Sequence, residues 1–379
     1  MSFLPFFLLL LVAVVFSTLS NRFHLPWVLA LMVGGMVVGP FGLGILSPNP
    51  TLDFMGEIGL IFLMFIAGLH TNLSTFKHFD RDIATVTIAN GMIPFVVGFL
   101  VGLVFDFSLI ASLLVGTIFM SSSIAVIIPT LEQSGILQRK LGRTIVSATM
   151  INDIASLLIL SVLLQSFEPS GDLPMGSFYV LLIALLVGLR YGIPKIRSLV
   201  PRFRDEKDLF ESEVRLIFAL LLGTVILFDA VGLHPIIAGF FSGLVLSDSL
   251  TSEILLEKIR TIGYGVFIPV FFVSIGLSTD LTQFVGSAEN IVLVMVVVFT
   301  SIAAKFGSGY LGGTLAGLSR KESSYLGFAT VPQLSTTLAV VVTAAALDLV
   351  PSTLLAAMVV LSMVSTFVAP AAMRMVKLT

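Results

Sequence analysis

Runs of about 20 apolar residues, separated by short stretches rich in Gly, Pro and charge, recur along the whole chain. A run of that length crosses the hydrocarbon core of a bilayer as a helix. The pattern predicts an all-α polytopic membrane protein with about thirteen transmembrane helices. The predicted spans lie near 3–20, 26–46, 54–70, 83–105, 108–131, 143–166, 177–195, 213–231, 234–248, 261–279, 290–312, 323–347 and 352–373. The first run, "FLPFFLLLLVAVVFSTLS", has no basic segment before it and no small-residue cleavage site. It is expected to be a retained span rather than a signal peptide.

Composition agrees with this reading: of 379 residues, 57% are hydrophobic and 11% charged. With no Cys, disulfide and thiol chemistry are excluded. The placement of charge is more informative than its sum. Every Lys and Arg except Lys305 falls at alternate span ends. The opposite loops carry Asp106, Glu168, Asp172, Asp280, Glu289 and Asp348 but no base. By the positive-inside rule this predicts an outer N-terminus, a cytoplasmic C-terminus and an odd number of spans. The expected location is the cell inner (plasma) membrane.

Two segments match internally. "FIAGLHTNL" (65–73) and "FVSIGLSTDL" (272–281) share Gly-Leu-x-Thr-x-Leu, and both follow Gly-rich spans, "VGGMVVGPFGLGIL" and "AGFFSGLVLSDSL". The third span runs inward and the tenth outward, so the match predicts an inverted repeat, a transporter architecture. The expected division is residues 1–176 (core helices about 83–166), a linker over 177–212, and residues 213–379 (core helices about 290–373).

Both halves interrupt a span at the matching place. The fifth contains "MSSSIAVIIP", with Pro129 beyond its serines, and the twelfth contains "GFATVPQLSTTLAV", with Pro332 and Gln333 at its centre. Proline removes a backbone donor and clashes with the preceding turn. In lipid the freed groups must find partners or line a cavity. Breaks at Pro129 and Pro332 would give crossed, discontinuous helices. A proline kink healed by Ser and Thr is the plainer alternative. Crossed helix ends leave positive charge at N-termini and negative charge at C-termini. Asp153, in "SATMINDIASLLILSV", and Lys305 are the acid and base available to balance them. An ionisable group at mid-membrane costs roughly 3 kcal/mol on insertion scales, and such groups mark function by default.

The chain resembles the second branch of the monovalent cation/proton antiporters, the sodium/proton and potassium/proton exchangers. The resemblance rests on "LPWVLALMVGGMVVGPFGLGIL", "MGEIGLIFLMFIAGL", "SSSIAVIIPTLEQSGILQRKLGRTIVSATMINDIASL", "GLHPIIAGFFSGLVLSDS", "FIPVFFVSIGL" and "AAKFGSGYLGG". It implies a thirteen-helix homodimer in which a six-helix core carries the ion by an elevator motion. The essential carboxylate falls on Asp153. Electrogenic members place a second acid just before it, paired with a lysine that matches Lys305. Here that position is Asn152, the pattern of electroneutral relatives. Many members also carry a glutamate after the second break, where this chain has "PQLSTT". The potassium exchangers append a cytoplasmic nucleotide-binding domain, which is expected to be absent from this polypeptide because the chain ends at Thr379.

One carboxylate couples two ions if it binds them in turn. A dehydrated alkali ion needs about five or six oxygens from carboxylate, hydroxyl, amide and broken-helix carbonyls. Ser121, Ser122, Asn152 and Asp153, with Thr330 or Ser335 opposite, are the candidate ligands. Burial favours the neutral acid, whereas helix ends, Lys305 and the cation favour the charged one. Lys305 is either a titrating proton carrier or a fixed counter-charge to helix ends, and the second role is expected. Glu57 and Asp229 are assigned to the interface or an outer funnel, and His24, His70, His78 and His234 to span ends. The loop "RFRDEKDLFESEVR" reads as a solvated helical linker.

With no phosphate loop, metal motif or nucleophile triad, neither an enzyme nor an ATP-driven pump is expected. The function that follows is secondary antiport of H+ against Na+ or K+. A channel on the same scaffold and a sodium-coupled solute symporter are the competing readings. No cofactor, no nucleic-acid partner and no resident metal are expected; the partners are the transported ions, membrane lipid and a second copy of the chain.

Overall fold

The computed structural model describes residues 3–23, 26–70, 80–167, 212–230, 235–247, 252–284 and 287–376, with a few isolated positions besides. Regular structure among them is helical throughout. In order these are α1 (Leu4–Phe23), α2 (Trp27–Val38), α3 (Pro50–His70), α4 (Arg81–Val104), α5 (Leu109–Met120), α6 (Ile124–Gln133), α7 (Lys140–Phe167) and α8 (Ser212–Asp229). There follow α9 (Pro235–Leu246), α10 (Glu253–Ile262), α11 (Ile268–Ser278), α12 (Ala288–Leu315), α13 (Arg320–Ala329), α14 (Ser335–Ala346) and α15 (Ser352–Met375). A π-helical turn, Gly263–Phe267, joins α10 to α11. Among the described residues, seven stretches are long and apolar enough to cross a membrane: 50–70, 81–104, 109–133, 140–166, 253–284, 288–315 and 352–375.

These helices supply every expected span except the seventh (177–195), which lies largely outside the described residues, as do His24, His78, His234 and most of the loop at 202–215. Two boundaries differ from expectation. The second span stops as a helix at Val38, because Gly39 and Pro40 break it. Residues 39–46 then form a turn closed by Gly44 N–H to Gly39 O (2.9 Å) and Leu46 N–H to Val38 O (2.9 Å). The tenth begins earlier, at Glu253, since α10 is amphipathic. Leu255 and Ile259 are buried on one face, while the charges of Glu253, Glu257, Lys258 and Arg260 hid the helix from hydropathy.

The chain divides into two compact units. The first comprises Met1–Leu52, Thr75–Leu160 and Phe272–Thr379, and the second Asp53–Ser74 and Ser161–Phe271. In the second unit α3 and α9 meet backbone to backbone, where a Cβ on Gly68 would lie 2.1 Å from Phe240 O. Phe62 packs there between Phe218 and Phe267, with centroids 4.6 and 5.4 Å away. In the first unit α2 and α11 make the equivalent contact, a Cβ on Gly276 falling 2.2 Å from Met32 O. Gly68 and Gly276 are the two glycines of the Gly-Leu-x-Thr-x-Leu pair. The step from Gly68 to Gly276 also carries Phe240 back to Met32, so the repeats exchange partners.

The first unit repeats a second set of helices in the same inverted manner. Long α4, broken α5–α6 and long α7 correspond to α12, α13–α14 and α15. On α5, a Cβ on Gly116 would meet Phe95 O of α4 at 2.7 Å; on α13, one on Gly327 would meet Phe306 O of α12 at 2.7 Å. Gly102 abuts Ser112 as Gly313 abuts Ser323. Ser108 caps α5 by accepting from Ala111 N–H (3.2 Å), and Ser319 caps α13 by accepting from Glu322 N–H (3.3 Å). One constant step relates all of these pairs. Small residues at these positions let backbones approach closely where lipid offers no hydrophobic drive.

Candidate ion-binding site

The breaks fall at Ser121–Ser123 and at Thr330–Leu334. Pro332 lies inside the second break, as expected. Pro129 does not make the first: it lies within α6, which begins five residues earlier at Ile124. Pro129 removes only the bond to the carbonyl of Ala125, and α6 continues past it to Gln133. The first break comes instead from three consecutive serines. Ser121 is extended (ψ 158°), and the Ser123 N–H leaves its own helix to bond Pro332 O at 2.6 Å.

Asp153 lies on α7, 5% exposed. Its Oδ1 accepts from the Ser122 N–H at 3.1 Å, and Thr336, in the first turn of α14, lies close enough to act on the same carboxylate. These groups belong to the N-terminal ends of α6 and α14, where a helix favours a negative charge. Lys305, on α12, is wholly buried. Its Nζ donates to Met120 O (2.8 Å), the last carbonyl of α5, to Asn90 Oδ1 (3.0 Å) and more weakly to Asn90 O (3.5 Å). The base therefore sits at a C-terminal helix end, where orphan carbonyls and the dipole favour a cation. Among the described residues, the acid and base form no ion pair within 4.0 Å. The two still act on each other electrostatically, but each bonds to a helix end.

Asn90 of α4 and Gln333 were not among the sequence-derived site residues. The Asn90 Nδ2 donates to Thr330 Oγ1 and Ser308 Oγ, both at 3.0 Å. A polar side chain inside the apolar run "TIANGMIP" was the available signal for it. Beside it, Gly91 makes room for Asn152: a Cβ there would lie 2.7 Å from Asn152 Oδ1. The Asn152 Nδ2 is buried without a hydrogen-bond partner. Thus Lys305 takes a neutral amide on α4 where electrogenic relatives would offer an acid at position 152.

The remaining candidates divide between the two poles. Ser122 turns its N–H toward Asp153 and its hydroxyl toward Thr330 O (2.8 Å). Ser121 pairs with Thr337 across the breaks, Oγ to Oγ1 at 3.0 Å. Thr330 faces the Lys305 pole through Asn90, whereas Ser335 opens α14, the helix that brings Thr336 to Asp153. Glu57 and Asp229 are exposed, as expected, and His70 pairs with Arg260 of α10 in the second unit.

The sequence pattern described as "Sodium/hydrogen exchanger, transmembrane" matches residues 7–376. The chain belongs to that family. It is 29% identical over 370 residues to a probable Na(+)/H(+) antiporter 3 of Methanocaldococcus jannaschii, covering 96% of this chain and 94% of the relative. It is 28% identical to a Na(+)/H(+) antiporter of Enterococcus hirae, covering 98% and 97%. It is 25% identical to the Na(+)/H(+)-K(+) antiporter GerN of Bacillus cereus, covering 96% and 93%. Among solved structures, the sodium proton antiporter MjNhaP1 of M. jannaschii at pH 8 superposes with a TM-score of 0.69 at 19% identity, over 96% of this chain and 94% of that one. That likeness is one of fold.

Proposed function

We propose that this member of the sodium/hydrogen exchanger family exchanges H+ for Na+ or K+ across a membrane, with Asp153 binding the two in turn. The observation that carries the reading is the position of Asp153: a buried carboxylate at two crossed helix N-termini, with no ion pair to Lys305. A carboxylate paired to Lys305 would have its charge already balanced. This one rests on the Ser122 N–H and the helix N-termini, with Lys305 acting from beyond ion-pair distance, so a proton or a cation completes it. Its relatives named as Na(+)/H(+) and Na(+)/H(+)-K(+) antiporters support both cations as substrates.

Exchange is electroneutral in this reading. One acid alternates between one proton and one monovalent cation, and Lys305, held by Met120 O and Asn90, stands outside that cycle. Transport proceeds by an elevator motion of a core built from residues about 83–166 and 290–373, within repeats 1–176 and 213–379 joined by 177–212. All candidate site residues belong to those core segments. The protein is a homodimer in the cell inner membrane, N-terminus outside and C-terminus cytoplasmic, as the basic loops and the family resemblance suggest.

Purified protein in liposomes containing a pH dye tests the function. Adding Na+ or K+ outside is expected to drive proton efflux, with Li+ completing the selectivity series. Cation flux with no proton movement would favour a channel instead.

A further inference from the structure

Gln333 is wholly buried in the second break and uses every polar atom that it has. Its Nε2 donates to Phe119 O at 2.9 Å, with Ser121 O and Ile118 O at 3.4 and 3.5 Å. Its Oε1 accepts from the Ser301 hydroxyl of α12 at 2.8 Å. Its backbone N–H donates to Ser365 Oγ of α15 at 3.1 Å. One side chain thus serves Phe119 O near the end of α5, where helix carbonyls lack partners, and reaches more weakly to Ser121 O in the break and to Ile118 O, which Ser121 also meets.

The step that relates Gly116 to Gly327 also relates Ser122 to Gln333 and Phe119 to Thr330. Ser122 Oγ donates to Thr330 O, and Gln333 Nε2 donates to Phe119 O, so the two bonds are mirror images. The backbone bonds run alike, although Ser365 lies one residue beyond the position that the step gives for Asp153, Val364. Ser122 N–H reaches Asp153 Oδ1 on α7, and Gln333 N–H reaches Ser365 Oγ on α15, both at 3.1 Å. One seat holds an acid and the other a serine. Bonds at the acid seat change whenever Asp153 trades a proton for a cation. Bonds at the serine seat involve no titrating group.

We propose that Gln333 is a positioning residue for ion binding: it ties the two breaks together and keeps the Ser122 N–H aimed at Asp153 while that group changes its ion. This rests on the reading of Asp153 as the carrier. Asn cannot span the same distance, and Leu fills the space without a donor or an acceptor. Among the described residues, the buried charged groups on α7, α12 and α15 are Lys305 on α12, held by Met120 and Asn90, and Asp153 on α7.

The test compares wild type, Gln333→Leu and Gln333→Glu in liposomes, reading apparent KM for the cation separately from maximal rate. Gln333→Leu is expected to raise KM about tenfold, the usual cost of losing a residue that orients an ion ligand, while the maximal rate changes less than the KM. In Gln333→Glu a protonated carboxyl keeps one donor for Phe119 O and an ionised one keeps none. Its KM relative to wild type should therefore grow as pH rises, an effect that a purely structural role would not give. If the Leu variant does not fold, the Glu variant decides alone. A KM within about twofold of wild type for folded Gln333→Leu, or a flat pH ratio for Gln333→Glu, overturns the proposal. Asp153→Asn run alongside separates the readings: if it still exchanges, the carrier assignment fails; if it is dead while Gln333 variants behave as wild type, only this inference fails.

Discussion

Lys305 shows how helix ends decide the fate of a buried charge. Its ammonium meets the last carbonyl of α5 and the Asn90 amide, and among the described residues no acid lies within ion-pair distance. In the proposed function Lys305 is a fixed counter-charge that supports the fold without taking part in exchange. Lys305→Gln is therefore expected to lower the melting temperature and keep cation-driven proton exchange. Leaving the buried Met120 carbonyl without its charged partner costs about 1–3 kcal/mol. Loss of exchange at wild-type stability would instead make Lys305 a proton carrier. Asn152→Asp sets an acid next to Asp153, against Gly91 and near Asn90. The second acid is expected to give exchange an electrogenic component, measured as current on a solid-supported membrane. A current already carried by wild type would contradict the electroneutral account.

At the scale of elements, the crossing helices depend on glycine at mirrored places. Gly116 and Gly327 each face a partner carbonyl at 2.7 Å from an added Cβ, whereas Gly307, on α12, has nothing within 4 Å. Contact that close forces a backbone shift, and overpacking costs typically about 1–3 kcal/mol. Gly116→Ala and Gly327→Ala should lower the melting temperature by similar amounts, and Gly307→Ala should leave it nearly unchanged. Unequal losses at the two mirrored sites would show that the repeats carry different loads. Thermal unfolding in detergent gives the comparison.

For the whole molecule, the sequence made some features legible and hid others for physical reasons. Apolar runs long enough for lipid announce spans, and Asp153 and Lys305 stand out because ionisable groups are rare there. The Gly-Leu-x-Thr-x-Leu pair disclosed the inverted repeat because close helix crossings demand glycine. Asn90, Gln333 and Ser365 were hidden. Their partners are mostly backbone carbonyls, N–H groups and hydroxyls, which leave no matching residue type to find. Pro129 misled because a proline marks only a chance of a break. Serines whose backbone bonds to the opposite segment made the real one, and that needs the fold to be seen.

The account turns on one side chain serving both ions. Asp153→Asn keeps the volume and removes the exchangeable proton and the charge. The decisive measurement is dye-reported proton movement in liposomes holding the purified variant, with its folding verified by thermal unfolding. The account predicts no proton efflux when Na+ or K+ is added, under conditions where wild type responds. Cation-driven efflux from the folded Asp153→Asn protein would contradict it.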